Sequence, residues 1–273
     1  MKVLNHLLYD NNNSQVDFRP TPNKGGSYTP RYLVMHYTAS VSEKGSINWF
    51  MSREAQASAH LLIGMDGSIT QFAPFNIITW HAGISEWNGL IGLNKYAIGI
   101  ELVNAGRLIK SGDRWLSALD KTAIPDSDVI IATHCNESVS TGWQVYADPQ
   151  LRVATEIAAL LVKTYSLKDV VGHDEIAPHR KSDPGPAFPM ASFRSRAMGR
   201  KMTAPAQFIT TTAVNIRSGA GTQFAPVAEA LPKNTPVDIL KRAGNWSLVD
   251  VTGPVNGIND LEGWVFSKYL AAK

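Results

Sequence analysis

His173 and Asp183 lie ten residues apart in GHDEIAPHRKSDPGP, residues 172–186, beside the cations Arg180 and Lys181. An imidazole nitrogen and a carboxylate oxygen are both metal donors. Their spacing does not fit one helical face, and Pro178, Pro184 and Pro186 forbid a continuous helix, so the stretch reads as a rigid loop. A loop carrying half a metal site needs a further ligand from elsewhere in the chain. His36, near the end of an apolar run, completes a two-nitrogen, one-oxygen set that suits Zn²⁺ with one position left to water. Hydrolysis at such a site wants a base and a cation for the oxyanion, roles that Glu101 and Lys181 could fill. By spacing alone, His60, His81 or His179 could replace any of these histidines, and His36 could equally be a hydrogen-bonded core residue.

The elements that would position these residues are legible in part. RYLVMHYTAS, residues 31–40, is mainly apolar on both faces and predicts a central strand, with His36 near its carboxyl end. Residues 42–56 carry Ile47, Phe50, Met51 and Ala55 at helical spacing, with Ser42 or Ser46 as the cap. SAHLLIG (58–64) and SITQFAP, joined through Asp66-Gly67, predict a hairpin in which His60 reads as structural or as a support to the ligands. YAIGIELV (96–103) predicts a third strand, with Glu101 on the face of Ala97 and Gly99. A carboxylate buried there must meet a metal site, solvent or a cation, Arg180 and Lys181 being the structural alternative. Residues 76–94 read as a loop over a cleft, where Trp80, His81 and Trp87 either contact substrate or pin the loop to the core.

Residues 11–30 read as an irregular lead-in, and 104–148 as an insertion with VIIATH (129–134) its one strand-like patch. Alternation sends His134 and Cys135 to opposite faces of a strand, which argues against a joint metal site. Residues 149–165 form a strongly amphipathic helix opened by Asp148-Pro149, followed by a shorter helical signal at 191–199. The pattern then changes to short alternating β segments separated by Gly, Pro and Asn. The expected organisation is a domain over 1–200, a linker at 201–207 and a small all-β domain over 208–273.

Composition narrows the function. The chain has 273 residues, 44% of them hydrophobic, and a net charge of 26 − 23 = +3. That is globular and mildly basic, and with no Lys/Arg run longer than two it carries no nucleic-acid footprint. Cys135 is the single cysteine, so no intramolecular disulfide is available. No apolar run reaches the ~20 residues of a membrane span, and MKVLNHLLYDNNNSQ is not a secretory signal, so cytoplasmic synthesis is expected.

VMHYTAS, SAHLLIGMDGSITQF, WHAG, NKYAIGIELVN and GHDEIAPHRKSDPGPAF, in that order, resemble the zinc-dependent N-acetylmuramoyl-L-alanine amidases of the superfamily that includes peptidoglycan recognition proteins and muropeptide-recycling amidases. The resemblance covers roughly residues 30–200. It implies an α/β fold, a mixed central β-sheet flanked by helices. It places the Zn²⁺ ligands on His36, His173 and Asp183, the general base on Glu101 and the oxyanion cation on Lys181, and sets Arg180 near the substrate. NIRSGAGTQFAPVAEAL, GNWSLVDV and EGWVFSKYL resemble a bacterial SH3 domain, a small all-β SH3-like barrel often attached to wall hydrolases. There Trp246, Trp264 and Tyr269 either form a wall-binding groove or belong to the core, with core expected for Trp264.

The implied activity is hydrolysis of the amide between N-acetylmuramic acid and L-alanine in peptidoglycan or muropeptides. Action on the wall after lysis or non-classical export, as in an endolysin or a toxin, and cytosolic recycling both fit. The alternative is a recognition protein that binds peptidoglycan without cleaving it; such proteins typically lack a metal ligand.

Overall fold

The computed structural model describes residues 1–199, 207–255, 258 and 261–273. A six-stranded sheet runs, edge to edge, through Asp169–Gly172, Tyr32–Tyr37, Ala97–Leu102, Leu61–Ile63, Ile69–Gln71 and Asp17–Phe18. The first four strands are mutually parallel, and the Leu61–Ile63/Ile69–Gln71 hairpin adds the antiparallel step that makes the sheet mixed. Parallel strands covered on both faces need side chains that tolerate burial everywhere, which is what YLVMHY supplies.

The two faces have different covers. Leu33, Met35, Ile98, Ile100 and Leu102 pack against the Asp148–Tyr165 helix through Leu151, Ile157 and Leu161, and against Phe193 of the Met190–Ala197 helix. On the other face Tyr32, Val34 and Ala97 lie under Ala82, Leu93 and Ile176. The Glu43–Met51 helix, capped by Ser42 Oγ accepting the Gly45 N–H at 3.0 Å, inserts Ile47 and Phe50 against Leu62, Phe72 and Val103. Helices therefore flank the sheet as expected.

Two expectations need correction. Residues 104–148 contain five strands: Leu108–Ser111, Arg114–Ser117 and Ala123–Ile124 form one antiparallel sheet, and Val129–Thr133 pairs with Ser140–Gln144. Strands of two to five residues with exposed charged positions carry too few apolar residues for a period to show. The lead-in is also partly β, because Asp17–Phe18 joins the main sheet and the exposed Lys24–Ser27 pairs with Ile77–Thr79.

The carboxyl-terminal region is a five-stranded antiparallel sheet in the order Glu262–Phe266, Trp246–Val251, Pro236–Ala243, Phe208–Thr210, Leu270–Ala272. Val214, Ile216, Leu231, Val237, Val249 and Val265 form its core. The same buried cluster continues into Ile130, Ala132 and Trp143 of the insertion, and Glu262 accepts the Ser192 N–H at 2.8 Å. Of the expected linker, residues 201–206 lie outside the described residues. Trp264 is not core as expected: strand alternation turns Gly263 and Val265 inward and leaves Trp264 half-buried. Trp246 and Tyr269, with Phe266, line a groove of about 860 Å³.

Candidate active site

Three neighbouring parallel strands deliver the site. His36 is the penultimate residue of Tyr32–Tyr37, Glu101 of Ala97–Leu102, and His173 follows directly on Asp169–Gly172. Glu101 pairs in register with His36, so both project from the same face at the carboxyl ends of the strands, where open α/β sheets bind ligands. The proline-punctuated loop then returns Asp183 to the same point, and its carbonyl accepts the Asp174 N–H at 2.7 Å. At the base of the loop Glu175 accepts the Gly172 N–H at 2.7 Å and pairs with Arg194.

His36 Nδ1 and His173 Nδ1 lie 2.9 Å apart, and each is within 2.9 Å of Asp183 Oδ2. The proton positions follow from the outer partners. His81 Nε2 faces the Ala97 carbonyl at 3.1 Å, which can only accept, so the proton of the neutral ring sits there and Nδ1 is bare. Bare His81 Nδ1 accepts from His36 Nε2 at 3.0 Å, which leaves His36 Nδ1 as a lone pair. His173 Nε2 likewise donates to the Ala82 carbonyl at 3.0 Å, leaving its Nδ1 bare. Burial, reinforced by neighbouring His173, pulls His36 down to about 4, and burial with neighbouring His36 pulls His81 well below the usual range, so both are neutral at pH 7. With both rings neutral, two lone pairs and a carboxylate oxygen converge. A cation relieves that repulsion, and the outer hydrogen bonds are those that orient metal-bound histidines.

Glu101 lies beside this set. Its Oε2 is buried and has no hydrogen-bond partner, and burial together with the Asp183 charge raises its carboxyl well above the ordinary range, while Lys181 opposes the rise. No ion pair joins Glu101 to Arg180 or Lys181 among the described residues, so the structural alternative for this carboxylate is not realised. Lys181 and Glu101 line the same cleft of about 770 Å³, whose outer walls include Trp49, Trp80 and Leu119.

Residues 26–186 match the N-acetylmuramoyl-L-alanine amidase family, and residues 212–271 match the bacterial SH3 domain. The chain belongs to the N-acetylmuramoyl-L-alanine amidase family. It is 33% identical over 141 residues to the 1,6-anhydro-N-acetylmuramyl-L-alanine amidase AmpD of Escherichia coli, covering 51% of this chain and 57% of that protein. To the N-acetylmuramoyl-L-alanine amidase AmiD of the same organism it is 29% identical over 178 residues, covering 62% and 54%. The chain thus spans little more than half the length of these relatives. The solved structure of AmiD from E. coli with anhydro-N-acetylmuramic acid-L-Ala-D-gamma-Glu-L-Lys superposes with a TM-score of 0.48 at 27% identity, over 70% of this chain and 66% of that one.

Other sequence candidates in this family member separate by position. Trp80 is 36% exposed on the cleft, whereas Trp87 is half-buried and packs on the core. His81 was a candidate substrate contact, but both its ring nitrogens are engaged, one by His36 and one by Ala97. Arg180 spends a guanidinium nitrogen on the Ala82 and Ile84 carbonyls, each at 2.7 Å, and so clamps the loop beside the cleft. His60 is fully buried, its Nδ1 accepting from Gly99 N–H and Nε2 donating to the Ile77 carbonyl, as a structural residue should. His179 is exposed.

Alternation separated His134 from Cys135, yet donor atoms of His134, Cys135 and Asp174 lie within 4.8 Å of one another, because the chain leaves the strand at 133 and turns. Two of the three are already joined by a hydrogen bond, His134 Nε2 to Asp174 Oδ2. His134 Nδ1 accepts the Asn136 N–H at 3.2 Å, so its proton sits on Nε2, facing Asp174. As a free thiol Cys135 is pushed up to about 11 by desolvation and by neighbouring Asp174 and Glu175.

Two supports were missed in the sequence: His81 as orienter of His36, and the insertion's contacts to Asp174. The one signal for the first was the absence of side chain at Gly99, where a Cβ would come 2.4 Å from the His81 ring.

Proposed function

We propose that the chain hydrolyses the amide between the lactyl group of N-acetylmuramic acid and the L-alanine of a peptidoglycan stem peptide. The observation that carries this reading is the convergence of bare His36 Nδ1, bare His173 Nδ1 and Asp183 Oδ2 beside the unpartnered Glu101 Oε2. Two neutral imidazoles and one carboxylate with an open side fit a catalytic zinc site. Zinc bound there supplies Lewis acidity and lowers the pKa of a water toward ~7. His36, His173 and Asp183 would be the ligands, with His81 and the Ala82 carbonyl holding the ring protons away from them.

Glu101 Oε2 is the group placed to take a proton from the attacking water and return it to the leaving amine. Its raised affinity for protons suits that exchange, and a dication alongside favours its carboxylate form. Lys181 supplies positive charge where the oxyanion develops, and Trp80 offers an apolar wall to the substrate. On purified sacculi or muramyl peptides the chain should release new L-Ala amino termini. His36→Ala and Glu101→Gln should each lower that release by about 10²-fold or more; unchanged release in either would remove its residue from the mechanism.

The carboxyl-terminal groove suggests that the substrate is wall-attached. Trp246, Phe266 and Tyr269 present aromatic surface there with Asn215 and Arg217 beside it, a mixture suited to a polar polymer with apolar patches. Tyr269→Ala should weaken pelleting with sacculi and leave cleavage of soluble muropeptides intact. Equal pelleting of variant and parent would exclude the groove as a wall site.

A further inference from the structure

His134 is 2% exposed, and its Nε2–H donates to Asp174 Oδ2 at 3.0 Å. Asp174 directly follows His173, and its own N–H holds the Asp183 carbonyl, so this residue touches both ends of the loop that carries two of the proposed ligands. Asn136 adds a bond from its side-chain amide to the Asp174 carbonyl at 3.3 Å. Behind His134 stands Trp143, fully buried, stacked on the imidazole at 5.8 Å between ring centres and fixed by its Nε1–H donating to the Ala132 carbonyl at 3.1 Å. The far edge of the Trp143 ring lies against Gly185, where a Cβ would approach to 2.7 Å. The insertion therefore grips the loop twice, just after His173 and just after Asp183.

We propose that the His134–Asp174 pair, backed by Trp143, is a positioning device contributed by the insertion to the metal loop. It holds His173 and Asp183 at the separation a metal requires, and it neither binds the metal nor touches substrate. The inference rests on the metal site proposed above. Outer-shell partners of metal ligands typically change metal affinity by about 10–100-fold when removed, and a buried donor–acceptor pair bridging a ligand's neighbour belongs in that range.

The test is zinc release from the full-length, zinc-loaded chain into a chromophoric chelator. His134→Ala and Asp174→Ala should each release zinc at least about tenfold faster than the parent. His134→Gln, whose amide nitrogen can replace the Nε2 donor, should release within about threefold of the parent. The double variant should be no faster than either single one, because both remove the same bond. Three results would overturn the proposal: parental release rates in both alanine variants, equal acceleration by alanine and glutamine at His134, or two zinc ions per parent chain falling to one in His134→Ala. If the parent itself takes up no zinc, the metal reading fails instead, and the stoichiometry of the parent separates the two failures.

Discussion

At the scale of single residues, the site depends on where protons are not. His36 can offer Nδ1 as a lone pair only because its other nitrogen has an acceptor in His81, whose own proton is committed to the Ala97 carbonyl. His81→Ala should therefore weaken zinc affinity by about 10–100-fold, read by competition with a chelator, without removing a ligand; an unchanged affinity would show that the His36 tautomer is fixed by other means. The convergence of His36, His173 and Asp183 was legible because each lies in a distinctive block, from VMHYTAS to GHDEIAPHRKSDPGP. The role of His81 was not, since a histidine's partner on a distant loop leaves no spacing in the chain.

At the scale of elements, the strands place the chemistry and the loops complete it. The run YLVMHY announced a central strand, and the i, i+3, i+4 pattern of residues 149–165 announced the helix that covers its far face. The insertion's short strands announced nothing, although they carry His134 and Trp143 to the loop of His173 and Asp183. At Gly99 a strand and a loop meet closely. Its φ is ordinary, so space alone requires glycine: an added Cβ would stand 2.4 Å from the His81 ring and force that ring off the strand. Gly99→Ala should lower stability by roughly 1–3 kcal/mol, the usual cost of overpacking, and loosen zinc as His81→Ala should. Urea denaturation and the same chelator assay would check both, and loss of stability with zinc affinity intact would detach His81 from the metal site.

At the scale of the whole molecule, the carboxyl-terminal module is packed on the amidase region through a shared buried cluster and through Glu262, which accepts the Ser192 N–H. Glu262 is pushed up to about 7 by burial, with Asp250 on the adjacent strand adding to the push. Between the unfolded value near ~4.3 and about 7, the folded chain holds a proton that the unfolded chain has lost. This group's contribution to stability is therefore complete below that window and declines as pH rises through about 7. Glu262→Gln, neutral throughout, should show a smaller loss of urea stability between about pH 5 and about pH 8 than the parent. An identical loss in both would mean that the carboxyl titrates normally in the folded chain. This contact was invisible in the sequence, where Glu262 is one charged residue in EGWVF.

All three scales meet in the bond proposed to be cut. Mass analysis of the products from a defined N-acetylmuramyl peptide, incubated with the zinc-loaded chain in heavy-oxygen water, tests that directly. The account predicts a muramic acid whose lactyl carboxylate carries the heavy oxygen and a peptide with a free L-alanine amino terminus. Recovery of intact substrate, or of fragments cut within the peptide or between sugars, would contradict it.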